Sequence, residues 1–397
     1  MKQQDITLRR LTAQGALVEA AFWFGFCTYI ACMVTALIDN GWSSSQATGA
    51  MTAMSAISLL TQPVLGYISD NYFSEKQLTR IFMFSAAVFL GLMPFSLRSG
   101  SQLLVLVNMV CFNITGGQIA GLLDAWVVGL KNEHPAMNYG LLRGTGSLTY
   151  ALSSQFMGTI TVYLGHGARL WIGSGFMLLA FIASRFLKGC KHVQQEESTP
   201  QLSGKEAMKL VFSSKPYVTL MIVSFCLLLG SNSMTTLLQL CIQDFGGTTA
   251  LVGTASAVCA LSEVPCMFLI AYVIKRVGEP KLMALCSLFY VIRMAATAAA
   301  GSAGVLICIQ LLQGITYAVL IPASMSYLSR IVDGRVRSTA VTTYAAVTSS
   351  VSSILGNFIT TLLLSAGFTA RSALIVFAAF AFVGLIVAVY GLIRKIW

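Results

Sequence analysis

The chain has 397 residues, of which 56% are hydrophobic and 10% are charged, and its formal net charge is +11. A soluble domain of average composition has about 45–50% apolar and about 25% charged residues, so this composition excludes an ordinary water-soluble enzyme. A membrane-spanning helix needs about 20 apolar residues, and twelve such stretches follow one another along the chain. The sequence therefore predicts an all-α membrane protein with twelve transmembrane helices.

Short polar breaks separate the predicted spans. In chain order the spans are 12–38, 47–69, 79–97, 101–130, 138–165, 168–187, 217–243, 249–274, 281–300, 302–330, 336–365 and 369–393. Several are longer than a bilayer requires, which predicts tilted helices or helices that extend beyond the lipid. The first stretch is too long for the core of a signal peptide and no small-residue cleavage site follows it, so we expect it to be retained.

The distribution of positive charge predicts the orientation. If both termini are cytoplasmic, the segments on that side hold 20 of the 25 Lys and Arg residues. The outer loops hold three, Arg98, Arg169 and Arg371, and two, Arg143 and Arg293, lie inside spans. Cytoplasmic loops of membrane proteins collect Lys and Arg. We therefore expect a multi-pass protein of the cytoplasmic (inner or plasma) membrane with both termini in the cytoplasm. The positive charge then reflects topology and does not indicate a nucleic-acid partner.

One long polar break, 188–216, divides the twelve spans into six and six. It predicts an N-terminal six-helix bundle over 1–187 and a C-terminal six-helix bundle over 217–397. The second part of the break, 205–212, is typical of a short interfacial helix with its apolar residues against the membrane surface.

Short motifs recur between the two predicted bundles at a spacing of 205 residues. Ile38–Ser44 is similar to Gln243–Thr249, and Lys76 corresponds to Lys281. Transporter halves often keep weak internal symmetry of this kind. The spacing therefore favours two related, pseudo-symmetric bundles.

Two motifs resemble the major facilitator superfamily of transporters. Residues 58–70, Ser-Leu-Leu-Thr-Gln-Pro-Val-Leu-Gly-Tyr-Ile-Ser-Asp, resemble the superfamily's loop motif, and their Ser-Leu-Leu-x-Gln-Pro start is similar to the lactose permease branch of oligosaccharide (or nucleoside):proton symporters. Residues 139–150 in the fifth span resemble the same branch in the spacing of glycine, arginine, glycine and an aromatic residue. The resemblance implies the major facilitator fold and secondary transport by alternating access.

The resemblance also implies a gate at the turn between the second and third spans. Gly66, Asp70 and Lys76 would hold the cytoplasmic ends of the halves closed and release them when the carrier opens inward. The motif is incomplete, because Phe73 replaces its glycine and Glu75 its first basic residue. The alternative is a solvated turn that is needed only for folding.

Five charged residues lie clearly inside the predicted spans, namely Glu19, Asp124, Arg143, Glu263 and Arg293. A charge at the centre of a bilayer costs at least about 2.5–3.5 kcal/mol, so such residues pair or line a wet cavity. By residue count, Asp124 and Arg143 lie about 10 Å from the cytoplasmic side, and Glu263 and Arg293 about 18 Å. Each half thus offers one acid and one arginine, either as an ion pair between helices or as groups that face a central cavity.

The family resemblance implies roles for several of these residues. The positions that match Asp124 and Arg143 are a substrate-binding acid and arginine in the lactose permease branch, and Tyr150 matches an aromatic residue that stacks on a sugar. Gln313 and Thr316 replace the branch's histidine and proton-carrying acid in the tenth span. The predicted substrate-binding residues are Asp124, Arg143, Tyr150, Glu263, Arg293 and Gln313. The predicted proton carriers are Glu263, ranked first, Asp124 and Glu19, because carboxylates beside low-dielectric walls titrate nearer neutrality.

These features predict a proton-coupled symporter of a polar organic solute, such as a sugar, glycoside or nucleoside. A first alternative is an antiporter that exports drugs or metabolites, although 144–158 lacks the proline of the usual fifth-span antiporter signature. A lipid flippase or membrane-embedded enzyme is a second alternative, and no catalytic cluster for it is visible in the sequence. We expect no enzymatic activity.

No cofactor or metal is expected from the sequence. His134, His166 and His192 all lie in predicted loops, and there is no nucleotide-binding glycine loop. Nine of the ten cysteines lie in apolar spans, where they are typical small apolar residues. The expected partners are a small polar solute, protons and the lipid bilayer, and the expected state is a monomer.

Overall fold

The computed structural model describes residues 2–134, 139–187, 204–333 and 336–397, and over these ranges the regular structure is helical, with no β-strand. The α-helices up to the middle of the chain are α1 Lys2–Ile30, α2 Met33–Asp39, α3 Ser44–Asn71, α4 Glu75–Arg98, α5 Gln102–Thr115, α6 Ile119–Glu133, α7 Tyr139–Phe186 and α8 Gly204–Ser213. The later ones are α9 Lys215–Asp244, α10 Thr249–Val277, α11 Glu279–Ala299, α12 Ala303–Ile309, α13 Tyr317–Ile331, α14 Arg337–Ala345, α15 Ser352–Ser365 and α16 Ala370–Ile393.

The helices account for twelve membrane crossings. In the described part of the chain, ten helical runs are long and apolar enough to cross a membrane. One of them, Gly144–Phe186, has 43 residues and is long enough for two crossings. Gly165 divides this run, because its φ of 79° and ψ of 171° are not helical. A positive φ of this size is a conformation that glycine adopts readily. α3, with 28 residues, is long enough to be the twelfth crossing. The predicted all-α membrane fold is confirmed.

Four of the crossings are interrupted. The first breaks between α1 and α2, the fourth contains a 3-10 turn at Gly116–Gln118, and the tenth contains a 3-10 segment at Gln310–Ile315. The eleventh contains a π-helical segment at Ala346–Val351. Non-α backbone at membrane depth occurs where it is buried in protein or lines a cavity, and transporters often bind their solutes at such breaks. The break at Gln310–Ile315 includes the predicted site residue Gln313.

The sequence repeat has a structural counterpart. Gly41 and Gly246, which are 205 residues apart, both adopt positive φ, of 86° and 70°. The next helix begins at Ser44 after the first glycine and at Thr249 after the second, again 205 residues apart. The same turn therefore joins the first pair of spans in each predicted bundle.

The chain forms two compact units. Unit 1 comprises Met1–Ser43, Ala56–Gln194 and Gly247–Ala257, and unit 2 comprises Ser44–Ser55, Gln195–Gly246 and Val258–Trp397. In unit 1, α7 packs on α1 and α4. In unit 2, α16 packs on α9 and α11. Each unit thus has its own helical core, which positions one of the two clusters described below.

A short helix occupies the second part of the predicted linker. α8 spans Gly204–Ser213, which includes the predicted interfacial segment 205–212. Val211 is buried, whereas Met208, Leu210 and Phe212 are exposed. The first part of the linker, with His192, lies outside the described residues.

Candidate substrate and proton site

Arg293 is the centre of a polar network in unit 2. Its side chain is only 2% exposed, on α11. Its Nη2 donates to Oε1 of Gln310 at 2.8 Å, and its Nη1 donates to Oε1 of Gln313 and to Oγ1 of Thr316 at 3.4 Å. A buried charge is costly unless it is hydrogen-bonded. The rigid fork of a guanidinium suits these converging oxygen acceptors.

Gln313 joins Arg293 to Glu263. Its Nε2 donates to Oε1 of Glu263 at 2.9 Å while its Oε1 accepts from Arg293. Glu263 is half-buried on α10, and Gln313 lies in the 3-10 segment Gln310–Ile315. The acid and the arginine that the sequence assigned to this half are therefore in one network, through an amide that the sequence also predicted to be in the site.

Gln310 is held in place by further bonds. It is fully buried, and its Nε2 donates to the backbone oxygen of Leu306 at 3.0 Å and to Oγ1 of Thr297 at 3.5 Å. These two bonds use the amide nitrogen of Gln310, so its amide oxygen, Oε1, is available to accept from Arg293. Cys259 adds a sulfur 3.8 Å from Nη2 of Arg293. The sequence did not indicate Cys259 as a site residue, because it lies in an otherwise apolar span.

Unit 1 contains a separate acidic and aromatic cluster. Glu19 is 1% exposed, and its Oε2 accepts a 2.9 Å bond from Nε1 of Trp23 one turn later in α1. The ring of Tyr150 lies edge-on to Trp23 with 6.3 Å between centroids. A Cβ atom at Gly146 would lie 2.5 Å from the Trp23 ring and 3.3 Å from Oε2 of Glu19. Glycine is thus what lets α7 approach these side chains.

The other predicted binding residues of unit 1 are less fully described. Asp124 is half-buried on α6, two residues before the fully buried Trp126. Arg143 lies in α7, and its side chain is outside the described part of the chain. The predicted role of this acid and arginine stays a prediction.

Of the three predicted gate residues, Lys76 is the one whose contacts the structure describes. Nζ of Lys76 donates to the backbone oxygen of Leu187 at 2.5 Å, just after α7 ends, and Arg80 Nη2 donates to the oxygen of Ser184 at 2.7 Å. Cations at the C-terminus of a helix stabilise it. Gly66 and Asp70 lie in α3, and nothing further is described at either position. Lys76 thus caps α7 within unit 1, and its part in a gate stays a prediction.

Other polar residues of the spans join helices to one another. Gln118 Nε2 donates to Oγ of Ser58 at 2.9 Å, and Asn232 Nδ2 donates to Oγ of Ser352 at 2.7 Å. Such bonds are a usual way to hold membrane helices together. Among the residues with described side chains, no group of three or more His, Cys, Asp or Glu residues is arranged to hold a metal ion.

Comparison with known protein families matches residues 22–379 to the MFS_1 like family. The chain belongs to this family. The resemblance to the major facilitator superfamily that the motifs predicted is therefore confirmed. This MFS_1-like protein is a membrane transporter and not an enzyme.

Two relatives of this MFS_1-like chain are transporters by name. The maltose permease of Geobacillus stearothermophilus is 27% identical over 296 residues, which cover 73% of this chain and 72% of the permease. The uncharacterized transporter YwbF of Bacillus subtilis (strain 168) is 24% identical over 306 residues, which cover 77% of this chain and 74% of YwbF.

Solved structures show the same fold. The D323A mutant of the nucleoside transporter NupG superposes with a TM-score of 0.82 at 14% identity, over 96% of this MFS_1-like chain and 99% of NupG. An auto-inhibited peptide transporter of the POT family superposes with a TM-score of 0.74 at 12% identity, over 98% of this chain and 97% of that one. At these identities the likeness concerns the fold alone.

Proposed function

We propose that this transporter is a proton-coupled symporter that takes up a polar organic solute of the sugar, glycoside or nucleoside class by alternating access. The observation that carries the proposal is the connection from Glu263 through Gln313 to Arg293. It places one titratable acid and one permanent cation in a single hydrogen-bonded network inside the membrane-spanning part of unit 2.

The network offers a physical link between the proton and the solute. An ionised Glu263 accepts the N–H of Gln313 in a charge-assisted bond, which is stronger than a bond between neutral groups. When Glu263 takes up a proton, that bond becomes a neutral one and the carboxyl gains an O–H donor. The amide of Gln313 and the new O–H are then available to solute hydroxyls. Protonation would therefore raise the affinity for the solute.

The composition of the network supports a hydroxyl-rich solute. Its amides, hydroxyl, guanidinium and carboxyl match the donors and acceptors of a sugar or nucleoside, since a few convergent polar groups orient a ligand in its site. The name of the maltose permease relative supports the sugar class. In unit 1, Trp23 and Tyr150 supply aromatic rings beside the buried acid Glu19.

The test is uptake into proteoliposomes of a panel of labelled sugars, glycosides and nucleosides, with and without an imposed inward proton gradient. We expect the wild type to accumulate one class of solute when the gradient is present. Glu263→Gln removes the titratable group and is expected to abolish accumulation while solute exchange at equal pH survives. Glu206→Gln, at an exposed position on α8, is the matched control and should accumulate like the wild type.

Two other results would change the proposal. Gradient-driven efflux of amphiphilic dyes without uptake of any panel member would indicate an antiporter instead of a symporter. Accumulation that survives in Glu263→Gln would show that another acid carries the proton. Asp124 and Glu19 are the predicted candidates.

A further inference from the structure

A second site is indicated by Arg169 in unit 1. Arg169 lies in the first turn of the helix that follows the turn at Gly165. Its side chain is 0% exposed, and none of its three side-chain nitrogens donates to an oxygen or nitrogen atom among the residues that the structure describes. A buried cation without a partner is strongly unfavourable. The guanidinium therefore requires a negative charge next to it.

The surroundings of this turn are positively charged. A Cβ atom at Gly167 would lie 3.4 Å from Nη2 of Arg98, whose guanidinium stacks over the ring of Trp171 at 5.7 Å. The helix that begins here also presents the positive end of its dipole. The exposed guanidinium of Arg98 and a helix N-terminus thus lie beside the turn whose next helical turn holds the buried Arg169.

One described carboxylate lies near this turn, and it is already engaged. Oδ2 of Asp39 is 2.7 Å from Nε2 of His166, and half of the Asp39 side chain is exposed. His166 lies in the turn between the two spans; burial and the charge of Arg169 lower its pKa, against the opposing effect of Asp39. Arg169 is therefore close enough to His166 for its charge to act on the imidazole.

We propose that Arg169 binds a small inorganic anion, with chloride as the physiological occupant, inside unit 1. The thiol of Cys32 on the first span interacts with the guanidinium and belongs to the wall of the site, but a neutral thiol is only a weak acceptor and does not neutralise the charge. Because both Arg169 and Cys32 are buried, the site is closed to solvent, which favours a small anion over an organic one. The anion neutralises Arg169 and ties the first span to the sixth. None of the residues proposed for proton-coupled transport takes part.

The test compares thermal unfolding of the purified full-length transporter in sodium chloride and in sodium gluconate at equal ionic strength and pH. We expect the Tm of the wild type to rise with chloride by a few degrees and to saturate, as for any ligand that binds only the folded state. Arg169→Met keeps the volume but removes the charge, and its Tm should be the same in both salts. The matched control, Arg371→Met, removes another arginine, one that stacks on Phe245 at 4.1 Å, and should keep the chloride response.

The proposal is overturned if the wild type has the same Tm in both salts, or if Arg169→Met keeps the full chloride response. A second measurement uses the wild type alone, in case Arg169→Met does not fold. Crystals grown with bromide should show an anomalous peak within hydrogen-bonding distance of the Arg169 guanidinium. A structure in which Asp39 contacts Arg169 directly and no bromide peak is present would also overturn the proposal, because the chain would then supply its own counter-ion.

Discussion

The side-chain amide of Gln313 donates a 2.9 Å hydrogen bond to the carboxylate of Glu263. The same amide accepts a bond from Arg293 through its oxygen. Because one amide uses its donor on the acid and its acceptor on the arginine, a change at Gln313 separates two groups that are otherwise connected. This connection gives the first two predictions.

Gln313→Ala should weaken solute binding and uncouple it from pH. A hydrogen bond to a charged group contributes about 1.5–3 kcal/mol, so the loss corresponds to a roughly 10- to 150-fold weaker affinity. Binding of the solute found in the uptake panel, measured by calorimetry between pH 5.5 and 8, checks this. Gln118→Ala removes a bond to Ser58 within unit 1, away from the unit 2 network. It is the control and should keep the pH dependence. An unchanged affinity and pH dependence in Gln313→Ala would contradict the prediction.

Arg293→Lys should keep the protein folded but lower solute affinity at least about tenfold, because an ammonium does not reproduce the fork of a guanidinium. Arg293 donates to Gln310, Gln313 and Thr316 at once, and a lysine would leave one or more of these oxygens without a donor. Size-exclusion chromatography and Tm check the folding, and KM for uptake checks the affinity. A lysine variant with wild-type KM would show that charge alone is sufficient.

Gly146→Val should destabilise the protein by about 1–3 kcal/mol, the usual cost of overpacking a core. The new side chain would occupy the space of the Trp23 ring, 2.5 Å from the added Cβ, and would disturb the bond from Trp23 to Glu19. Thermal unfolding and solute uptake measure the two effects. Gly144→Val, two residues earlier in the same helix, meets no heavy atom within 4 Å of its Cβ and is the matched control. Equal Tm values for the two variants would count against this account.

Gly253→Leu should force α10 away from α7 within unit 1. A Cβ atom at Gly253 would lie 3.1 Å from the Cα of Gly158 and would clash with the backbone oxygen of Ser154. By the predicted orientation, the contact between Gly253 and α7 lies near the outer surface of the membrane. Moving the two helices apart at this contact should therefore admit water from outside.

Labelling of Ser154→Cys by a membrane-impermeant maleimide, added to intact cells, measures that separation. We expect labelling to rise several-fold in the Gly253→Leu background and solute transport to fall. Gly175→Leu, where an added Cβ meets no heavy atom within 4 Å, serves as the control background. Equal labelling in both backgrounds would mean that the leucine is accommodated without opening the crossing.

Sequence alone predicted the number of spans and the residues that begin and end most of them. This worked because a bilayer requires each crossing to satisfy its own backbone, so local composition decides where a helix must lie. The repeat at 205 residues was visible in the sequence for a similar local reason. Gly41 and Gly246, in the matched turns, both adopt a positive φ that other residues rarely adopt. The sequence also placed Glu263, Arg293 and Gln313 in one candidate site, because charged and polar residues inside apolar spans are few.

Tertiary structure decided which side chains meet. Gln313 connects Glu263 to Arg293 only because α10, α11 and the 3-10 segment of the tenth span pack together. No local sequence pattern encodes that packing. Arg169 shows the same limit most clearly. By sequence it counts with the charges of the outer loops, yet it is fully buried, because the turn at Gly165 directs the next helix back against the first span. Burial of a charge is a property of the helices around it, and only their packing reveals that Arg169 needs a partner.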